Sequence, residues 1–156
     1  MTVAKVAIVM GSESDRPIAE EALPYLKYFN LKYEVLVMSA HRTPGKVREF
    51  AAQAKEHGYE VIIACAGLAA HLPGVIASYT TLPVIGVPLA AGSLQGQDAL
   101  FSIVQMPAGV PVAGMAIGKA GARNAAIFAA QILALKYHDV MEKLVQFKQN
   151  ECRIPL

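Results

Sequence analysis

The chain has 156 residues, the length of one ordinary domain, and 14 basic against 12 acidic side chains leave a net charge of only +2. That balance excludes an electrostatic nucleic-acid binder. A content of 54% hydrophobic and 17% charged residues excludes a disordered chain. A domain of this size buries roughly 70% of the surface its unfolded form exposes, enough for a core without disulfides or a structural metal.

Between Glu60 and Lys119 the only Asp, Glu, Lys or Arg is Asp98, yet five prolines and eight glycines interrupt that stretch. No run of ~18–20 apolar residues survives them, so no membrane span is expected. So little polar coating points instead to an oligomer that covers more surface. Met1 leads within a few residues into the apolar run Val6 to Met10, with no basic leader and cleavage site before it, so no signal peptide is expected. The two cysteines, Cys65 in an apolar run and Cys152 in the tail, form no disulfide framework, which fits a reducing cytoplasm.

Strand and helix patterns alternate along the chain. Val6 to Met10 reads as the first strand, and Gly11-Ser12-Glu13-Ser14-Asp15 as a turn. Ile18, Ala22, Leu23 and Leu26 then recur at helical spacing, with Ser14 or Asp15 as the cap and Pro17 in the first turn. Tyr33 to Met38 is the second strand. Thr43-Pro44 opens a helix buried through Val47, Phe50, Ala51 and Ala54 and ended by His57-Gly58. Val61 to Ala66 is the third strand, apolar on both faces and so expected inside a sheet covered on both sides. A short helix reaches about Tyr79. Val84 to Val87 is the fourth strand, Asp98 to Gln105 a helix, and Val112 to Ile117 the fifth strand. A long helix runs from about Ala120 past Leu135. The last helix, Asp139 to Lys148, carries an apolar face that could serve its own domain or a neighbouring subunit. Nothing splits the chain, so residues 1–156 are expected to be one catalytic domain, with residues 137–156 available for subunit contacts. Five strands alternating with helices predict an α/β protein, a three-layer αβα sandwich around a five-stranded parallel sheet.

Ligands in such folds sit at the carboxyl ends of the strands. Three loops are therefore candidates. Loop 11–15 offers the Ser12 and Ser14 hydroxyls and a helix N-terminus, which favour an anion; Asp15 would repel phosphate but suits sugar hydroxyls. The same loop also reads as nothing more than a capped turn. Loop 39–44 brings Ser39, His41 and Arg42 together. The Arg42 fork suits phosphate, and a histidine moves protons near neutral pH. Loop 67–74 is nearly without charge. Gly67 and Gly74 allow tight backbone approach, and Ala69, Ala70 and Leu72 would form a small apolar pocket whose polar groups are mainly amides and His71. No G-x-x-x-x-G-K-[ST], no G-x-G-x-x-G after the first strand and no G-x-S-x-G is present. Cys65 with His71 does not make a metal-ligand set. The residues alone thus point to a phosphorylated small molecule held by Ser12, Ser39 and Arg42, with His41 transferring a proton.

Taken together, GSESD at 11–15, SAHRTP at 39–44 and AGLAAHLPG at 66–74 resemble the class I form of 5-(carboxyamino)imidazole ribonucleotide mutase of purine biosynthesis. PVIGVPL from Pro83, GQDALFSIVQMPAGVPVA at 96–113 and GARNAAIFAAQIL at 121–133 continue the resemblance. It implies a flavodoxin-like fold with an extra C-terminal helix, and an isomerase that moves a carboxylate from nitrogen to a ring carbon without ATP, metal, biotin or other cofactor. It implies phosphate binding by Ser12, Ser39 and Arg42, ribose binding by Asp15, and acid–base catalysis by His41. Gly67, Ala69, His71 and Leu72 would close around the base and carboxylate, and Ser14 and Ala40 complete the substrate-binding set. It also implies a cytoplasmic homo-octamer, with a functional link to the ATP-dependent synthetase that makes the substrate. A second class uses CO2 directly; it carries lysine where Arg42 stands and lacks AAHLPG, so Arg42 and the 69–74 string favour the mutase. A non-catalytic nucleotide-binding module on the same fold is the remaining alternative.

Overall fold

The computed structural model describes residues 4–155. Five parallel strands form one sheet in the order β2-β1-β3-β4-β5. They are β1 (Lys5–Met10), β2 (Lys32–Val37), β3 (Tyr59–Gly67), β4 (Val84–Leu89) and β5 (Ala113–Gly114). The helices are α1 (Arg16–Ala19), α2 (Leu23–Tyr28), α3 (Pro44–Gln53), α4 (Leu72–Tyr79), α5 (Gln97–Val104), α6 (Lys119–Ala134) and α7 (His138–Gln149). This is the expected flavodoxin-like sandwich, and its strand order reverses direction at β1 and β3, where such sheets open a ligand crevice.

Alternation along the inner strands divides the core in two. Val6, Ile8 and Met10 of β1 and Val61, Ile63 and Cys65 of β3 face α1, α2, α6 and α7. Ala7 and Val9 of β1 and Ile62, Ala64 and Ala66 of β3 face α3, α4 and α5. Both faces are buried, which explains why β3 from Val61 onward and all of β4 are apolar. Gly86 in β4 lets α5 approach closely: a Cβ there would lie 2.5 Å from Ile103 Cγ2.

Several local expectations are corrected. The first helix is not continuous. Pro24 has no N–H to donate to the Glu20 carbonyl, so α1 and α2 are joined by a 3₁₀ turn at Glu20–Ala22. Asp15 stands at the N-cap of α1, one of the two expected caps, but makes no capping bond to that helix, and the 3₁₀ turn Glu13–Asp15 before it is capped by Ser12. The Ser12 hydroxyl accepts from the Ser14 amide, and the Asp15 carboxylate accepts from the Ser12 amide at 3.1 Å. Thr43 precedes α3 as expected but makes no capping bond; its hydroxyl accepts from the Ser39 amide and donates to the Ser39 carbonyl. The α3 segment does close at Gly58, whose φ of +81° allows the amide of Tyr59 to reach the Ala54 carbonyl.

The fifth strand is much shorter than Val112 to Ile117. Gly86 O accepts from the Met115 amide and Pro88 O from the Gly118 amide. Three residues of the fifth segment thus span two of β4, and Pro88 has no N–H to continue the ladder. The last helix uses its apolar face within its own domain. Val140, Leu144 and Phe147 are buried, and Phe147 packs edge-on against Tyr25 and Phe29. Met141 and Val145 face outward.

Candidate functional site

A cleft of 610 Å³ lies at the carboxyl end of the sheet, within the size range of small-molecule sites. The loops after β1, β2 and β3 build it, as the strand-end rule predicts. Ser12, Ser14, Asp15, Ser39, Ala40, His41, Arg42, Gly67, Ala69, His71 and Leu72 all line it. The structure therefore gathers every residue singled out from the sequence into one place.

The polar wall is tied together by short local bonds. Ser12 Oγ accepts from the Ser14 amide at 3.3 Å and from Ser14 Oγ at 2.9 Å, which leaves the Ser12 hydroxyl hydrogen for an acceptor in the cleft. Ser39 Oγ accepts from the Arg42 amide at 3.1 Å and likewise keeps its hydrogen. Arg42 Nη2 donates to the Gly11 carbonyl at 3.3 Å, so the guanidinium bridges the first and second loops. Two hydroxyl donors beside a guanidinium suit an anion with several oxygens.

Burial pushes the Asp15 carboxyl upward, while the Ser12 amide and the Arg42 charge pull it back. Hydroxyl donors from a ligand would favour its ionised form further. His41 stands at the edge of the cleft. Its Nε2 lies 2.6 Å from His71 Nδ1, with the two rings nearly perpendicular.

The opposite wall is apolar, with Ala66, Ala70 and Leu72 buried. Gly67 is small for a reason: a Cβ there would lie 2.9 Å from Ala91 Cβ. Leu68 has φ +55° and folds over Gly92, where a Cβ would lie 2.7 Å from Leu68 Cδ2. Leu68 and Ala91 were not anticipated as lining residues. Ala91 follows β4, which extends to Leu89 rather than ending at Val87, and applying the strand-end rule to that longer strand would have pointed to it.

Beneath the site, burial and the nearby Asp15 carboxylate push the Cys65 thiol up to about 12, whereas Cys152 is exposed. A thiolate-directed reagent should therefore modify one cysteine per native chain quickly, at Cys152, and Cys65 only after denaturation. Two fast thiols in a colorimetric titration would contradict the buried placement of Cys65. Among the described residues, no three His, Cys, Asp or Glu side chains converge to hold a metal ion, and no helix is long and apolar enough to cross a membrane.

The family model for AIR carboxylase matches residues 5–153. The N5-carboxyaminoimidazole ribonucleotide mutase of Thermotoga maritima is 53% identical over 146 residues, covering 94% of this chain and 84% of that protein. The protein of the same name from Haemophilus influenzae is 52% identical over 153 residues, covering 98% of this chain and 93% of that protein. Among solved structures, Treponema denticola PurE matches with a TM-score of 0.84 at 27% identity, covering 96% of this chain and 92% of that one. Matched along nearly its whole length in sequence and in fold, the chain belongs to the AIR carboxylase family.

Proposed function

We propose that the chain is an N5-carboxyaminoimidazole ribonucleotide mutase of purine biosynthesis. It converts its substrate to 4-carboxy-5-aminoimidazole ribonucleotide in the cleft at the sheet's carboxyl end. The observation that carries this reading is one cleft uniting Ser12, Asp15, Ser39, His41 and Arg42, in a chain 53% identical to a protein of that name.

Ser12, Ser39 and Arg42 hold the phosphate through two hydroxyls and the guanidinium. Asp15, flanked by Ser14, accepts the ribose hydroxyls. Ala40, Gly67, Ala69 and Leu72 surround the base and its carboxylate, with His71 behind them against His41. His41 donates a proton to the exocyclic nitrogen as the bond from that nitrogen to the carboxyl carbon breaks, releasing CO2 within the cleft. The ring carbon then bonds to that CO2, and His41 takes the proton displaced from the carbon. The proton lent in the first step returns in the second, so the sequence is an isomerisation with no net redox change and no need for ATP or a cofactor. The apolar wall of Ala66, Ala70 and Leu72 keeps water from the intermediate and helps hold CO2 in place.

The mutase and a direct carboxylase differ in the origin of the carboxyl carbon. In the presence of ¹³C-bicarbonate, the mutase should give product whose carboxyl carbon remains unlabelled in a single turnover. Full incorporation of label would assign the chain to the CO2-using reaction instead. Arg42→Ala should weaken binding of the ribonucleotide roughly 10- to 150-fold, the worth of a charge-assisted contact, with unchanged circular dichroism. Calorimetry showing wild-type affinity would remove Arg42 from the phosphate site.

The active form in this reading is a cytoplasmic homo-oligomer, octameric as the family resemblance implies, drawing its substrate from an ATP-dependent synthetase. Leu94, Phe101 and Leu135 are 58%, 62% and 85% exposed in the single chain and support self-association. The tail within 137–156 contributes through the outward side of α7, since its inner side is already used.

A further inference from the structure

We propose that His71 acts on the reaction through His41, as a positioning residue whose ring nitrogen Nδ1 holds His41 Nε2 in place. The inference rests on the role given to His41 above. Its basis is the 2.6 Å separation of those two nitrogens and the 83° angle between the rings. A contact this short between imidazoles requires one nitrogen to bear hydrogen and the other to present its lone pair. The two facing nitrogens therefore share one proton, and the tautomer of each ring is set by the other. A histidine meant to lend a proton and recover it gains from a partner that fixes its ring and its tautomer.

The backbone delivers His71 to this spot. Leu68 adopts the left-handed region at φ +55°, and the next residues are bound tightly, Ala70 N to Leu68 O at 2.8 Å and His71 N to Ala69 O at 2.7 Å. His71 then enters α4 with its carbonyl accepting from Val75 N at 2.9 Å. Its own backbone is helical, φ −75° and ψ −16°, and its side chain makes no capping bond to α4. The ring is thus committed to His41 rather than to its own helix. The charged groups sharing the cleft are Asp15 and Arg42, and Arg42 is engaged with Gly11 O.

The geometry allows a test that separates position from bulk. The side-chain amide of asparagine places a polar atom where histidine has Nδ1, whereas that of glutamine places it where histidine has Nε2. Three variants, His71→Asn, His71→Gln and His71→Leu, are compared by steady-state kinetics on N5-carboxyaminoimidazole ribonucleotide. They are also compared by ¹⁵N NMR of the histidine ring nitrogens. The expected result is that Leu and Gln lower kcat about tenfold or more, as misplacement of a reacting group does, with KM nearly unchanged. Asn should recover kcat to within about threefold of wild type, because a neutral hydrogen bond to His41 is restored. The His41 ring nitrogen shifts should move in the Leu and Gln variants and stay near wild type in the Asn variant. Asparagine no better than leucine, or a rise in KM at constant kcat, would overturn the inference and make His71 a direct substrate contact. If wild-type protein shows no turnover, the mutase reading fails on its own. The nitrogen shifts then decide the pairing, with unchanged His41 signals in all three variants counting against it.

Discussion

His41→Asn should abolish turnover while leaving the ribonucleotide bound. Histidine is the group in the cleft suited to lend and recover a proton near neutral pH, and proton transfer of this kind typically contributes ~10²–10⁴-fold. Asparagine keeps a polar side chain of similar reach but cannot carry the proton. The side chain is exposed at the cleft edge, so its replacement leaves the packed core untouched. The phosphate site proposed above uses Ser12, Ser39 and Arg42, whose hydrogen bonds to Ser14, to the Arg42 amide and to Gly11 do not involve the His41 ring. Steady-state assays paired with calorimetry on the same preparation check both halves. Near-normal turnover in the variant would remove His41 from the chemistry. Loss of binding along with turnover would make it a substrate anchor instead.

The largest effect on stability is expected at Gly121→Ala. A Cβ at this position in the first turns of α6 would fall 1.7 Å from the Ala116 carbonyl oxygen and 3.2 Å from Val87 Cγ1. The clash is with backbone, which a rotamer change cannot relieve. The start of α6 would have to lift from the sheet, and Ala122, Ala125 and Ala126 behind it are fully buried. A cost of about 4–5 kcal/mol or more is expected, in the range reserved for overpacked cores and strained backbone. Gly45→Ala is the contrast. It lies in the first turn of α3 with nothing within 4 Å of a Cβ. The change should stabilise the chain by about 0.5–1 kcal/mol, because alanine loses less freedom on entering a helix. Urea unfolding of both variants checks the pair. Equal midpoints would mean that α6 does not approach residue 116 as closely as described.

The fold was legible because its signals are local. The apolar runs of β1 and β3, Pro44 after Thr43 and Gly58 closing α3 each set an element's boundary within a few residues. The site followed from topology, since the loops after β1, β2 and β3 must meet at one end of the sheet. What escaped depends on groups brought together only by folding. The break between α1 and α2 comes from Pro24 acting on Glu20 within a pattern that still reads as helical. The brevity of β5 depends on Pro88 in the neighbouring strand. Ala91 enters the cleft because β4 runs two residues past Val87. The contact of His41 with His71 joins the loops after β2 and β3, strands separated by β1, and no spacing in the sequence expresses it.

The central claim is that this cleft moves a carboxylate within one substrate. The direct measurement is an ultraviolet assay of purified protein supplied with N5-carboxyaminoimidazole ribonucleotide and neither ATP nor bicarbonate. The expected result is formation of 4-carboxy-5-aminoimidazole ribonucleotide by the wild type, lost in the His41→Asn control. No product under these conditions, with activity on aminoimidazole ribonucleotide once bicarbonate is added, would contradict the mutase assignment and make the chain a carboxylase.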